Sequence, residues 1–256
     1  MTVIHQSAQD GYSKYSAVYE AGRPGYPPEL QSWLTRSGIR SGTTVVDLGA
    51  GTGKFTKLLV RAGADIIAIE PVGAMREKIS QNYPSVDTIN GSATKMPLSD
   101  DSVDAVFCAQ AFLWFATSEA LEEIRRVLKP NGMLGLIWNV RDETEKWVTE
   151  LSRIMAPFEA NTPRFHEGKW KAVFPADGFA PLQELTFEHK HRGNFQNVVV
   201  NRIMSVSFIS ALPPHARSDV ENQIRKLTDN YPELANDVDV DFPYHTLIAW
   251  TRKLST

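Results

Sequence analysis

Residues 45–56 read VVDLGAGTGKFT, and their ligand decides how the rest of the chain is interpreted. Val45, Val46 and Leu48 form a short apolar run, and Gly49, Gly51 and Gly53 follow at alternate positions. KFTKLLVRAG then has a helical pattern closed by Gly63. A strand, a glycine turn and a helix in that order make a ligand-binding unit. A triphosphate loop requires G-x-x-x-x-G-K-[ST]. Here Leu48 stands where the first glycine belongs and Phe55 where a magnesium-binding hydroxyl belongs, so ATP is rejected. The dinucleotide fingerprint requires a third glycine where this chain has Lys54. Asp47, just before the loop, would repel a phosphate and attract a cation.

Outward from this loop the pattern repeats. DIIAIE reads as a second strand, and its last residue, Glu70, lies 21 residues beyond Gly49. A carboxylate there can accept hydrogen bonds from both hydroxyls of a ribose. AMREKISQN is a helix and VDTIN a third strand. VDAVFCAQ is a fourth strand, apolar throughout, as in strands covered on both faces. SEALEEIRRVLK is a helix with Leu121, Ile124 and Leu128 on one face and Ser118 as its N-cap. PNG makes a turn before MLGLIWN, the fifth strand. Such alternation predicts a parallel sheet with helices on both sides.

Ahead of it, Pro27 or Pro28 opens a helix carrying Leu30, Trp33 and Leu34. After it come a helix near 144–158 and two amphipathic strands, LQELTFEHKH and YHTLIAWTRK. Helices over roughly 195–211 and 215–229 lie between those strands, separated by Pro213 and Pro214. No repeat or linker calls for a second domain, so the late helices read as an insertion covering one edge of the site.

Composition narrows the function. Of 256 residues, 42% are hydrophobic and 22% charged, with a net charge of −3. That balance gives no electrostatic footprint for nucleic acid. No apolar run approaches a membrane span, and the first residues lack the basic and apolar regions of a secretory signal. The single cysteine, Cys108, cannot form an internal disulfide and sits in an apolar strand as an inert thiol. Cytoplasm is the expected compartment. His189 and His191 share a strand face, but two ligands do not make a zinc site, and no metal is expected. Asp100 and Asp101 read as a turn, and EEIRR as a solvated helix face.

S-adenosylmethionine (SAM) suits the acid-flanked loop, since it carries an ammonium and a sulfonium beside its adenosine and has no phosphate. VVDLGAGTGKFT, IAIEP…M, GSATKMPLSDDSVDAVFCAQAFLWF and LKPNGMLGLIWN resemble, in register and in order, the motifs of class I SAM-dependent methyltransferases. They are most similar to the type-11 small-molecule group that includes trans-aconitate-type enzymes. The resemblance spans about residues 10–140. It implies an α/β, Rossmann-like, mostly parallel seven-stranded sheet with helices on both faces and an antiparallel last strand. Residues 1–40 would form a segment covering the cofactor, and 41–256 the methyltransferase domain, with a helical cap near 195–229.

The resemblance also implies roles. Asp47, Gly49, Ala50, Gly51 and Gly53 would line the methionyl part of the cofactor, and Glu70 would hold the ribose. Pro71 and Met75 would pack along the adenosine, Ser92 and Ala93 at the adenine edge, and Gln110 near the methionyl group or the sulfonium. YEAGRPGYP resembles a segment that closes over the cofactor, with Arg23 on the methionyl carboxylate and Tyr19 facing the transferred methyl. Leu113, Trp114, Phe115, Asn139 and Tyr244 would shape the acceptor pocket, together with Trp138. Relatives commonly read AQAFHWF where this chain reads AQAFLWF; Leu113 cannot move a proton, so no catalytic base is assigned.

The expected function is methyl transfer from SAM to a small molecule by in-line displacement. The competing readings are a non-catalytic SAM-binding regulator and, less favoured, an NAD-dependent oxidoreductase. Neither a nucleic-acid nor a membrane partner is expected, and whether the chain is a monomer or a homodimer stays open.

Overall fold

Five parallel strands form one side of a single sheet: β1 (Thr44–Leu48), β2 (Asp65–Ile69), β3 (Asp87–Ile89), β4 (Val103–Ala109) and β5 (Leu128–Arg141). The computed structural model describes residues 22–160, 162–235 and 239–255, so Tyr19 lies outside the described residues. β6 (Gln183–Asn194) and β7 (Asp239–Arg252) complete the order β3-β2-β1-β4-β5-β7-β6. β7 runs antiparallel to both its neighbours, β5 and β6. The chain winds outward from β1 through β2 to β3, then returns to place β4 on the other side of β1. The carboxyl ends of β1 and β4 therefore flank the switch in strand order, where open α/β sheets place their ligands.

Two apolar layers cover the sheet. On one face α1 (Pro28–Arg36) buries Leu30, Trp33 and Leu34, with Pro28 in its first turn. This layer includes Phe55 and Phe107, and each of those buried apolar side chains contributes roughly 1.5–3 kcal/mol. The rest of that face is closed by α2 (Thr56–Ala62), ended by Gly63 in the left-handed conformation at φ 79°. On the other face, α4 (Ser118–Val127) inserts Leu121, Ile124 and Val127 beside Phe112, Trp138 and Trp170. The helix over 73–82, α3 (Gly73–Asn82), packs against β3.

A third apolar cluster lies beyond the strand ends. α5 (Lys146–Met155) supplies Trp147, Val148, Leu151 and Met155; a π-helical turn (Gln196–Asn201) supplies Val198, Val199 and Val200. β7 keeps its alternation into this cluster, with Val240, Phe242 and Tyr244 buried. A sheet strand thus becomes part of the cap.

Local details depart from the sequence reading. The N-cap of α4 is Thr117, whose hydroxyl accepts the Ala120 N–H at 3.2 Å, and Ser118 is the first helical residue. PNG is no free turn: Asn131, at φ 63°, sits within β5, beside a register shift between Val103 and Ala105. The helix expected over 195–211 is broken into the π turn, α6 (Arg202–Met204) and α7 (Ser207–Ser210), because Val206 is extended. Three consecutive β-branched valines precede α6, and such residues crowd the preceding turn of an ordinary helix. α8 (Pro214–Arg225) and a 3-10 turn (Lys226–Asp229) fill the range expected for the next helix. No helix among the described residues is long and apolar enough to cross a membrane.

Candidate functional site

β1 delivers Asp47 and Leu48 to a turn whose three glycines, Gly49, Gly51 and Gly53, have φ of 73°, 58° and 88°. At Gly49 the need for glycine is double: the backbone is left-handed, and a Cβ would fall 2.6 Å from the Ala111 Cβ. The turn is tied to the end of β2, since the Gly49 and Ala50 N–H groups donate to the Ile69 carbonyl at 2.8 and 3.3 Å. Glu70 then locks it. One carboxylate oxygen accepts the Gly51 N–H and the other the Val72 N–H, each at 2.9 Å. A carboxylate has about four acceptor positions, so both oxygens keep capacity for a ligand's hydroxyls.

Asp47 is fully buried. Its Oδ2 accepts the Thr56 hydroxyl at 2.6 Å, while Oδ1 is buried and meets no hydrogen-bond donor. Burial pushes its carboxyl up from 3.8 to about 7; the Thr56 bond opposes the shift and the negative charge of Glu70 adds to it. Glu70 is raised too, by burial first, against the N–H groups of Val72 and Gly51 and the Arg76 charge. Two buried carboxylates, the charge of Glu70 adding to the cost of charging Asp47, make a site that a cation would relieve. Cys108, buried behind them, is pushed well above its ordinary value by burial and by Asp47.

These groups open into a cavity of about 1600 Å³. Pro71, Met75, Ser92 and Ala93 line it near Glu70. Ser92 and Lys95 exchange backbone hydrogen bonds at 3.4 and 3.2 Å, closing the small turn that carries Ala93. The segment beyond is held from α4: Glu123 accepts the Met96 N–H at 2.6 Å, and Arg126 donates to Leu98 O at 2.8 Å and Asp100 Oδ1 at 2.7 Å. EEIRR is therefore not simply a solvated face; two of its charges brace the loop beside Ser92 and Ala93. Asp100 and Asp101 do form the expected turn, Asp101 at φ 50°.

Gln110 follows β4 at φ 62°, a left-handed backbone held by its N–H bond to Ile137 O at 2.8 Å. Such strain in a non-glycine residue collects at functional sites, and Gln110 lines the cavity, as do Leu113, Trp114 and Phe115 after it. Phe112, between them, turns into the core instead.

The described N-terminal residues cross this opening. Lys54 donates to the Arg23 carbonyl at 2.7 Å, and Asn139 Nδ2 donates to the Gly25 carbonyl at 2.7 Å. The Arg23 guanidinium lines the cavity and donates to the Ser205 carbonyl in the cap at 3.0 Å. Gly22 lies against the backbone of Asn201 and Arg202, where a Cβ would come within 2.7 Å. One strap thus joins the glycine loop, the end of β5 and the cap.

Two expectations change. Tyr244 is not among the residues lining the cavity: its position on β7 turns it into the cap cluster beside Phe242, 4.8 Å between ring centroids. Asn139 lines the cavity, but its side chain is engaged, accepting the Thr246 hydroxyl at 2.6 Å while it holds Gly25. His189 and His191 face the strap region, and burial pushes both below their ordinary value, His191 to about 4. Sequence reasoning missed Arg141, Arg164, Arg202 and His166, which share the cavity wall and belong to no contiguous motif.

A parallel sheet with its strand-order switch at β1 and β4, a glycine turn after the first strand and an acid closing the second define a Rossmann-like α/β fold. Comparison with known proteins narrows this. Residues 46–136 match the family described as a methyltransferase domain. An uncharacterized methyltransferase-like protein of Schizosaccharomyces pombe is 38% identical over 234 residues, covering 90% of this chain and 91% of that one. An uncharacterized methyltransferase of Mycobacterium tuberculosis is 34% identical over 247 residues, covering 96% of this chain and 97% of its own. A solved Anaeromyxobacter dehalogenans structure, described as a candidate type II methyltransferase, superposes with a TM-score of 0.68 at 21% identity, covering 91% of this chain and 97% of that one. The chain belongs to the methyltransferase family of these relatives.

Proposed function

We propose that the protein transfers a methyl group from SAM to a small-molecule acceptor. The observation that carries this reading is the pairing of Glu70 with the Gly51 N–H across a glycine turn floored by the buried Asp47. The fit to SAM is one of charge as well as shape. Asp47 Oδ1 is a buried acceptor with no donor, and an ammonium or sulfonium nearby would favour the ionised carboxylate that burial opposes. A phosphate in that place would meet two carboxylates.

When bound, SAM supplies a methyl on a sulfonium with a good leaving group. The chain's own residues then have positional work. Glu70 accepts the ribose hydroxyls, the glycine turn lets backbone approach the methionyl part, and the strap through Arg23 shuts water out. Gln110 and Phe115 confine the space where the acceptor atom must come within about 3–3.5 Å of the methyl, in line with its bond to sulfur. Leu113 faces that space and moves no proton. The imidazole lining the cavity among the described residues is that of His166.

Leu113 also favours a second reading, a SAM-binding regulator without turnover. Calorimetry with SAM, its demethylated product, NAD and ATP tests the binding: micromolar heats with the first two and none with the others are expected, whereas NAD binding without SAM binding rejects the proposal. Glu70→Ala should weaken SAM by about 1–3 kcal/mol. Labelled methyl appearing in small molecules of a cell extract then separates the enzyme from the regulator.

A further inference from the structure

Arg141 at the end of β5, Arg164 in the 162–167 segment and Arg202 at the start of α6 all line the cavity. Their surroundings differ. Arg164 is paired with Glu159 at 3.1 Å, and its guanidinium lies 5.1 Å from the Phe208 ring centroid. Glu143, the other carboxylate on this rim, accepts the Ser152 hydroxyl at 2.6 Å. Arg141 meets no carboxylate among the described residues. Its contacts are a 3.4 Å bond to Ser152 Oγ and a 3.9 Å bond to Met155 Sδ, and its buried Nε–H makes no hydrogen bond.

A guanidinium presents five donors in a planar fork matched to a carboxylate or phosphate. Keeping such a group away from water without an anion is unfavourable. Burial pushes the Arg141 guanidinium down to about 10, and the positive charges of Arg202 and Arg164 push in the same direction, against the smaller opposing effects of Tyr244 and Glu143. It remains charged at neutral pH, so the cavity carries a cation whose best partner is negative.

We infer that this end of the cavity binds an anionic group of the methyl acceptor, a carboxylate or phosphate, with Arg141 as its bidentate partner and Arg164 and Arg202 as flanking charges. The inference rests on the methyltransferase reading and adds the acceptor's chemistry to it. Ile137, whose carbonyl meets Gln110, lies four residues back along β5, about 13 Å at the usual strand rise. The Arg141 guanidinium meets Ser152 and Met155 of α5. The anion is therefore an anchor, and the methylated atom belongs to the other end of an elongated acceptor.

The test uses the full chain loaded with demethylated SAM, titrated calorimetrically with octanoate, octyl phosphate and the neutral octanamide. At least one of the two anions should bind about tenfold or more tightly than the amide, and whichever binds tighter identifies the anionic group. Arg141→Met should remove that preference while leaving affinity for demethylated SAM unchanged, and Arg141→Lys should restore part of it. Equal binding of acid, phosphate and amide, including binding of none, overturns the inference, as does an unchanged preference in Arg141→Met. If Arg141→Met does not fold, the anion-against-amide comparison in the native protein decides by itself. Failure of the native protein to bind demethylated SAM would instead remove the underlying function.

Discussion

The two halves of the cavity are built by different means. Around β1 and β2 the site is made from backbone: left-handed glycines, N–H groups aimed at Glu70, and a strained Gln110. Its parts lie close together in the chain, and their spacing follows from strand and turn geometry. Around the end of β5 the site is made from side chains brought from distant segments, Arg141, Arg164 and Arg202, set by the packing of the cap. The first half suits the proposed cofactor and the second the proposed acceptor.

The contrast can be broken most severely at Gly49. Gly49→Val adds a side chain to a backbone at φ 73°, with its Cβ 2.6 Å from that of Ala111. We expect abolished SAM binding and a loss of about 3 kcal/mol or more in unfolding free energy; wild-type urea stability would show the turn to be more plastic than described. The Arg141 substitutions, by comparison, should leave the cofactor half intact.

Asp47 sharpens the contrast, because there stability and function should move in opposite directions. Its carboxyl is raised from 3.8 to about 7 by burial. Between those values the folded chain holds a proton that the unfolded chain has released. Stability is therefore full below about 3.8, falls as pH rises towards 7, and above 7 is lower by about 4 kcal/mol on this account. Asp47→Asn should raise the pH 8 melting temperature of the ligand-free protein and weaken SAM binding. In the native protein, SAM affinity should increase from pH 6 to pH 8 as Asp47 ionises beside the cation. A pH-independent affinity would contradict the electrostatic role.

Gly22 couples the halves, and its effect should be smaller. An alanine there meets the Asn201 and Arg202 backbone at 2.7 Å. Gly22→Ala is expected to cost about 1–3 kcal/mol, by overpacking, chiefly through loosening of the strap. Faster proteolysis near residue 22 and a several-fold weaker SAM complex would report it.

What the sequence made legible follows the same division. Asp47, the three glycines and Glu70 could be read directly, because strand period and turn chemistry act over a few residues. So could Leu30, Trp33 and Leu34, whose spacing states the buried face of α1. Tyr244 could not: alternation along β7 shows that it is buried, but not that β7 continues from the sheet into the cap. Nor could the role of Glu123 and Arg126, since charges on a helix read as solvated until a loop is seen folded onto them. Arg141, Arg164 and Arg202 form no motif at all; only tertiary packing brings them to one wall.

A crystal structure with demethylated SAM tests the central claim most directly. The account predicts the ribose hydroxyls within hydrogen-bond reach of both Glu70 oxygens, and the ligand's ammonium beside Asp47. An adenosine bound away from the ends of β1 and β2, or a Glu70 carboxylate turned from the ribose, would contradict it.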